Sequence, residues 1–267
     1  MNIASCTVII TSEAKDFNHG TGVAVRYGNQ DYILTAAHAL KGEPDNKKIM
    51  LLGRPNASLK EAVQKKQIPD AIFKGTHGRL TYSSATHVII TDRFMSDDQE
   101  DLAALKIQNP SKDLPHTFFH DLSGQGEAQI SVGKDVTLFG FPGELAQQVE
   151  HRVTAERGAA AFPYVAMQKI KEIPCPPSKF DPSIHFMTDF IYNEETCDPK
   201  GMSGCGAWSI PEAQDNKIWS ACKTQLLGIQ IGRYPESNLL QLVRIDRVLH
   251  LLSRGKNKIE SGSISSR

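Results

Sequence analysis

The sequence predicts an all-β protein made of two six-stranded antiparallel barrels and a C-terminal helix. Short runs of β-branched and aromatic residues recur along the chain, and Gly, Pro, Asn and Asp separate them as turn residues. A break in this pattern divides the 267 residues into halves of similar size. Each half holds about six candidate strands, so we expect two packed barrels with a cleft between them.

About twelve segments have the composition of strands. In chain order they are 6–11, 22–27, 31–35, 48–52, 86–91, 102–107, 135–140, 149–155, 184–192, 206–210, 225–231 and 239–244. Two segments favour helix instead. Residues 59–67 are short and largely charged, as in a surface helical turn, and residues 246–254 carry an apolar side that predicts a helix docked on a barrel.

The strand pattern is interrupted between residues 108 and 126 by Asn-Pro-Ser-Lys-Asp and Ser-Gly-Gln-Gly. We therefore expect an N-terminal barrel over 1–115, a linker over 116–126, and a C-terminal barrel with its helix over 127–254. The polar, Ser-rich tail over 255–267 is expected to be disordered.

The charge balance excludes two function classes. The 30 Lys and Arg residues equal the 30 Asp and Glu residues, so the formal net charge is zero. A non-specific nucleic-acid binder or a polybasic membrane-surface protein needs an excess of basic residues. We expect no nucleic-acid partner and no membrane partner. The sequence has no window of about 18 apolar residues, so no transmembrane helix is expected.

The N-terminus and the cysteines predict a cytoplasmic protein. The first residues are β-branched and lack a basic segment, which indicates a first strand, with an exported protein that has lost its signal as the alternative. The five cysteines are scattered without a CxxC pair, so free thiols in a reducing compartment are expected. One Cys197–Cys222 disulfide is the competing interpretation.

Three short segments carry the candidate chemistry. Residues 35–38 read Thr-Ala-Ala-His, residues 101–105 read Asp-Leu-Ala-Ala-Leu, and residues 201–205 read Gly-Met-Ser-Gly-Cys. Each alone is common in surface loops and turns. Their order along the chain, His then Asp then Ser, is one of the known orders of a catalytic triad.

These motifs resemble those of the chymotrypsin-like (trypsin-fold) serine peptidases, in particular bacterial trypsin-like peptidase domains without a PDZ domain. The resemblance covers residues 6–250. The family motif T-A-A-H is matched without change, and so is D-[IL]-A-[LV]-L. The motif G-x-S-G-G is matched except that Cys205 replaces its last glycine.

The resemblance implies a triad and an oxyanion hole. Ser203 would be the nucleophile of an acyl-enzyme mechanism, His38 its general base, and Asp101 the residue that orients His38. A serine hydroxyl needs such a base because it is a weak nucleophile at neutral pH. The backbone N–H groups of Gly201 and Ser203 would stabilise the oxyanion, and Gly201 suits a turn that requires positive φ.

Two departures from the family pattern bear on regulation. Met202 stands where members activated by cleavage carry an Asp that pairs with a new N-terminus, so we expect no activation of that type and allow for an activating partner protein. Cys205 is expected to be a small buried residue. The alternative is a redox-sensitive thiol beside the nucleophile.

The specificity pocket is predicted from the same resemblance. Its base would be Cys197, which implies a neutral pocket for small or medium apolar side chains, unless a one-residue shift brings Asp198 into that position. Gly228, Ile229 and Gln230 would form the pocket wall and the strand that pairs with an extended substrate. The Pro-rich segment 162–180 is expected to form loops around the cleft.

The proposed chemistry needs no cofactor and no metal. The cysteines and His185 match no compact ligand spacing such as CxxC or HxxxH. His185 is expected to be a surface or loop residue, and the alternative is that it lines the pocket region. The sequence therefore predicts a bacterial, intracellular serine endopeptidase with a narrow set of protein or peptide substrates. The alternative is a pseudo-peptidase or latent peptidase that binds a partner protein through the same cleft.

Overall fold

The computed structural model describes residues 3–12, 19–40, 49–52, 81–82, 85–88, 93–96, 99–114, 117–126, 128–143, 160–161, 164–174, 176–190, 198–210 and 224–262. Its strands, in chain order, are β1 (Thr7–Ser12), β2 (His19–Tyr27), β3 (Gln30–Ala36), β4 (Ile49–Leu52), β5 (Thr81–Tyr82), β6 (Ala85–Val88), β7 (Arg93–Met95), β8 (Leu102–Ile107), β9 (His120–Asp121), β10 (Asp135–Gly140), β11 (Ala160–Ala161), β12 (Tyr164–Lys171), β13 (His185–Asp189), β14 (Gly206–Ser209), β15 (Gln225–Tyr234) and β16 (Leu239–Arg244).

The C-terminal half forms the six-stranded barrel that the sequence predicts. Its strands close in the order β10-β12-β13-β16-β15-β14. β14, β15 and β16 carry fully buried apolar side chains, including Trp208, Ile229 and Leu242. β15 and β16 are joined by a tight 3₁₀ turn over Pro235–Ser237, which ends at Asn238 with φ +53°.

The N-terminal half follows the all-β prediction but differs in detail from a ring of six. Seven of its strands run in the order β6-β4-β1-β2-β3-β8-β7, and β9 adds to β2 in parallel. Within the described residues this is an eight-stranded sheet and not a closed barrel. β9 lies in the segment expected to be a linker, so that segment is attached to the N-terminal sheet.

One strand replaces a predicted loop. β12 lies inside the Pro-rich segment 162–180 and pairs with β10 and β13. Its outward side chains include Val165 and Met167, which are 54% and 74% exposed, while Ala166 and Ile170 are buried. The pattern was missed because apolar residues occupy both faces, so the alternation that marks a half-buried strand is absent.

Two α-helices are described. α1 is a single turn (Pro110–Asp113), and α2 spans Ile245–Gly262. α2 buries Val248, Leu251 and Leu252, as predicted for a docked helix, but it continues beyond residue 254 into the tail expected to be disordered. The physical reason is tertiary contact, since Gly255 packs against the ring of Phe94 on β7. Residues 263–267, 59–67 and 149–155 lie outside the described residues.

The two halves share one hydrophobic core. The larger cluster of buried residues combines Val25 and Leu34 of the N-terminal sheet with Leu138, Leu226 and Ile229 of the barrel. This common core fixes the halves against each other, so residues at their junction keep a defined geometry. No helix among the described residues is long and apolar enough to cross a membrane.

Candidate active site

His38 and Asp101 are brought together by the pairing of β3 with β8. In this antiparallel ladder Ala36 lies opposite Leu102, so the residues just beyond the two strand ends face each other. His38 lies in a 3₁₀ turn over Ala37–Leu40. Its Nδ1–H donates to Asp101 Oδ2 at 2.5 Å, and its main-chain N–H donates to Asp101 Oδ1 at 2.8 Å.

This arrangement fixes the orientation of the imidazole. The bond to Asp101 holds the proton of a neutral ring on Nδ1, which makes Nε2 the basic nitrogen. The His38 side chain is 40% exposed and that of Asp101 is 20% exposed. The imidazole is therefore accessible from solvent, while its partner carboxylate is more protected. The pair can therefore act as an oriented general base.

Asp101 adopts an uncommon backbone conformation. Its φ is +46°, in the left-handed region where Asp and Asn are the best tolerated residues after Gly. Its carbonyl oxygen accepts the N–H of Ala37 at 2.8 Å. Asp101 therefore holds the His38 turn through three of its oxygen atoms.

Ser203 lies in a tight turn between two glycines of positive φ, Gly201 at +92° and Gly204 at +94°. The positive φ at Gly201 agrees with the turn that the sequence predicts there. The Ser203 carbonyl accepts the N–H of Thr21 at 2.9 Å, and the N–H of Gly204 donates to the Gln230 carbonyl at 2.7 Å. The turn is thus anchored to the N-terminal sheet on one side and to β15 on the other.

The same turn lies directly against the segment that carries His38. A Cβ on Gly204 would lie 2.3 Å from Thr35 Oγ1 and 2.0 Å from the Thr21 carbonyl oxygen, so only glycine allows this approach. A Cβ on Gly20 would lie 3.0 Å from Ala39 Cβ and 3.3 Å from the Ser203 carbonyl oxygen. Gly20 is therefore wedged between the turn of His38 and the turn of Ser203.

Thr21 supports the Ser203 turn through hydrogen bonds, a role that the sequence motifs did not assign to it. Its Oγ1 donates to the Gly201 carbonyl at 3.1 Å and accepts the N–H of Phe141 at 3.0 Å. Thr35 Oγ1 donates to the Thr21 carbonyl at 2.9 Å. The signal available in the sequence was the Gly-Thr-Gly stretch of β2, where small residues permit close approach.

Met202 and Cys205 are both fully buried on the inner side of the turn. A Cβ on Gly140 would lie 3.0 Å from Cys205 Cβ and 3.3 Å from two side-chain carbons of Met202. Burial raises the pKa of the Cys205 thiol to about 12. Cys205 is a small buried residue, and the redox-sensitive alternative finds no support. Cys205 is a free thiol and Cys6 is buried, whereas Cys175, Cys197 and Cys222 lie outside the described residues.

A cavity of about 290 Å³ lies beside the Ser203 turn. Its lining consists of Phe190, Asp198, Pro199, Arg233, Tyr234, Pro235, Asn238, Leu239 and Leu240. The N–H of Met202 donates to the Pro199 carbonyl at 2.9 Å, which connects the wall of the cavity to the Ser203 turn. Cys197 is outside the described residues, whereas Asp198, the alternative from a one-residue shift, lines the cavity.

The charge of Asp198 is compensated inside this cavity. Its Oδ1 accepts a hydrogen bond from Arg233 Nη1 and another from the N–H of Lys200 at 2.9 Å. Across the hairpin, the hydroxyl of Tyr234 donates to Gln241 Oε1 at 2.6 Å. Apart from the Asp198–Arg233 pair, Asn238 and the hydroxyl of Tyr234, the lining is apolar, and the cavity suits an uncharged side chain.

Gly228, Ile229 and Gln230, the predicted pocket wall, lie on β15 between β14 and β16. Ile229 pairs with Gly206 of β14 on one side and with Val243 of β16 on the other, and Gln230 exchanges main-chain bonds with Gly204 and Cys205. These positions support the Ser203 turn from behind, and their main-chain groups are occupied. Within the described residues, the β14 ladder on β15 ends at Ile229.

His185 is buried on β13, so the expected surface or loop position is wrong, and it does not line the cavity. It is 1% exposed, and its Nε2 lies 3.2 Å from the Gln99 carbonyl oxygen, two residues before Asp101. Among the described residues, no group of three or more His, Cys, Asp and Glu side chains could hold a metal ion.

Comparison with known proteins gives a family and a fold. The model of a family described as trypsin-like peptidase domain matches residues 20–204. A solved Glu endopeptidase is 12% identical over 95% of this chain and 91% of its own, with a TM-score of 0.54. A serine endoprotease from Yersinia pestis is 15% identical over 95% of this chain and 63% of its own, with a TM-score of 0.52. No curated protein matches the chain.

Proposed function

Because the chain belongs to the trypsin-like peptidase domain family, a family of serine peptidases with the chymotrypsin fold, we propose that His38, Asp101 and Ser203 form its catalytic triad. The observation that carries the proposal is the 2.5 Å bond between His38 Nδ1 and Asp101 Oδ2 next to a Ser203 turn held by two glycines of positive φ. The His38–Asp101 pair supplies the base and the residue that orients it, and the Ser203 turn supplies the nucleophile.

The reaction follows from the roles of these groups. His38 Nε2 takes the proton of the Ser203 hydroxyl as Oγ attacks the substrate carbonyl, and then donates this proton to the leaving amine. Water, deprotonated by His38, hydrolyses the acyl-enzyme and regenerates Ser203. Asp101 keeps the imidazole oriented and stabilises its positive charge in both steps.

The oxyanion hole is proposed at the N–H groups of Gly201 and Ser203. The carbonyls of Lys200 and Gly201 accept bonds from the Gly143 N–H at 2.6 Å and from Thr21 Oγ1 at 3.1 Å. These bonds hold the turn rigid, and a preorganised turn is what stabilisation of a developing charge requires.

Specificity is proposed to reside in the cavity that contains Asp198 and Arg233. The compensated pair and the apolar lining support a neutral pocket for a medium-sized apolar side chain. The substrate backbone is proposed to pair with β15 beyond Ile229, over residues 231–233, instead of residues 228–230. A narrow set of protein or peptide substrates and an activating partner protein are part of the same proposal.

A bacterial, cytoplasmic location is proposed on the motif resemblance and on thiol chemistry. The free, buried thiol of Cys205 fits a reducing compartment.

The decisive experiment is covalent labelling with a fluorophosphonate, read by intact mass. Wild type and Ser123→Ala, a variant of an exposed serine, should gain one adduct, and Ser203→Ala should gain none. An adduct that persists in Ser203→Ala would refute the assigned nucleophile. No adduct on folded wild type would favour the latent or binding-only alternative, and labelling would then be repeated with candidate partners.

A further inference from the structure

The segment that carries Asp101 belongs to the N-terminal sheet but is held by the C-terminal half. Glu100 precedes Asp101, and its side chain is only 8% exposed. The guanidinium of Arg247, on α2, donates to Glu100 Oε1 from Nε at 2.6 Å and also from Nη2. A buried carboxylate is therefore neutralised by an arginine far away in the sequence.

A second contact holds the same segment one residue earlier. His185 on β13 donates from Nε2 to the Gln99 carbonyl at 3.2 Å, and its Nδ1 accepts the N–H of Asp181 at 3.1 Å. These two bonds require a neutral ring with its proton on Nε2. Burial lowers the pKa of His185, which agrees with that state.

The segment needs such support because Asp101 is in a disfavoured conformation. Its φ is +46°, and its carboxylate must keep two bonds to His38 at once. A rotation at Glu100 would turn the carboxylate away from the imidazole. Strained backbone persists only where the surroundings over-determine it.

We propose that Arg247 and His185 are positioning residues that fix Gln99 and Glu100 from the C-terminal half and thereby keep the Asp101 carboxylate on His38. The inference rests on the proposed triad and deepens it. α2 packs on β7 and β8 of the N-terminal sheet and on β15 and β16 of the barrel. The position of α2 is therefore linked to the hydrogen bond between Asp101 and the His38 ring.

The test compares Arg247→Ala with Arg244→Ala. Arg244 is the matched control, because its guanidinium pairs with Asp246 at the start of the same helix. The carboxylate of Glu100 is bound by Arg247 instead. The first readout is the rate of fluorophosphonate acylation. The second is the downfield proton resonance of His38 Nδ1–H, whose position depends on the bond to Asp101.

Arg247→Ala should slow acylation by about 10- to 100-fold, since small displacements of catalytic groups have effects of this size. It should also shift or broaden the His38 resonance. Peptide hydrolysis should show the loss in kcat with KM retained, because the cavity beside Ser203 is untouched. Arg247→Lys should recover part of the rate, and Arg244→Ala should match wild type.

An unchanged rate and an unchanged resonance in folded Arg247→Ala would overturn the inference. If Arg247→Ala fails to fold, Arg247→Lys and Glu100→Gln decide by the same two readouts. If wild type is labelled neither alone nor with candidate partners, the proposed function fails. The resonance in a Ser203→Ala background then still tests the positioning role, because it needs no nucleophile.

Discussion

Asp101 accepts two hydrogen bonds from His38, one from the ring at 2.5 Å and one from the main chain at 2.8 Å. The second bond ties the carboxylate to the backbone of the residue whose ring it orients. Imidazole and carboxylate therefore cannot separate without disturbing the turn at the end of β3. This chelation is achieved with Asp101 at positive φ, which is a conformational cost that few residues tolerate.

Asp101→Asn should lower the rate of acylation by Ser203 by about 10⁴ while the fold is kept. The amide presents an N–H to His38 and favours the wrong tautomer, as in other triads. Asn tolerates the left-handed region as well as Asp does, so the urea midpoint should change little. Stopped-flow labelling and urea titration measure the two effects. A rate within tenfold of wild type would contradict the role assigned to Asp101.

Gly204→Ala should destabilise the protein by more than about 4 kcal/mol, as expected when a buried contact cannot relax. The new Cβ would lie 2.0 Å from the Thr21 carbonyl oxygen and 2.3 Å from Thr35 Oγ1. Labelling of Ser203 should be lost with the fold or with the displaced turn. Urea unfolding monitored by tryptophan fluorescence measures the free energy of unfolding.

Gly133→Ala is the matched control for this substitution. Gly133 has φ +82°, similar to Gly204 at +94°, but a Cβ there meets nothing within 4 Å. Only the conformational cost of about 1 kcal/mol should appear. Equal losses of unfolding free energy in the two variants would show that the steric contact of residue 204 with Thr21 and Thr35 is unimportant.

The sequence predicted the elements whose pattern is local. Three strands, 102–107, 135–140 and 239–244, have the predicted bounds, because their β-branched and apolar residues are bounded by turns. The six-stranded C-terminal barrel is confirmed. β12 was missed because Val165 and Met167 face solvent, and the end of α2 was missed because Gly255 packs on a strand that is remote in sequence.

The candidate site divides in the same way. His38, Asp101 and Ser203 lie in motifs that are readable within a few residues. The contact of Arg247 with Glu100 joins residues 147 positions apart in the sequence, and that of His185 with Gln99 joins residues 86 positions apart. No local sequence pattern predicts such contacts. Their detection required the packing of α2 and β13 on the opposite half.

Cys205 should resist alkylation by iodoacetamide in the folded protein at about pH 8.5, near the pKa of a free thiol. Burial raises its pKa from 9.0 to about 12, so the folded state keeps the proton that the unfolded state loses above pH 9. Stability linked to this thiol is full below pH 9 and falls as the pH rises toward 12. Peptide mapping with and without denaturant measures the protection.

Cys205→Ala is the control, because it removes this contribution to the pH dependence of unfolding. The Cys205→Ala variant should stay folded at neutral pH. Rapid alkylation of Cys205 in native protein would instead support a reactive thiol beside Ser203.

Asp198 and Arg233 should set the charge preference of the cavity in opposite directions. Asp198→Asn leaves the guanidinium uncompensated and should favour acidic side chains at the substrate position that enters the cavity. Arg233→Gln leaves the carboxylate and should favour Lys and Arg. Because the two side chains are 32% and 41% exposed, each shift should be about fivefold. Digestion of a peptide library with identification of cleavage sites by mass spectrometry measures the preference.

The double variant Asp198→Asn/Arg233→Gln separates charge from shape. It restores a neutral cavity, so its preference should return to apolar side chains as in wild type. Arg26→Gln removes a similar pair with Asp31, at 2.8 Å on β2 and β3, and should leave the preference unchanged. If both single variants keep the wild-type profile while Ser203 remains reactive, the substrate side chain enters elsewhere, because a charge lining its pocket would alter its binding free energy.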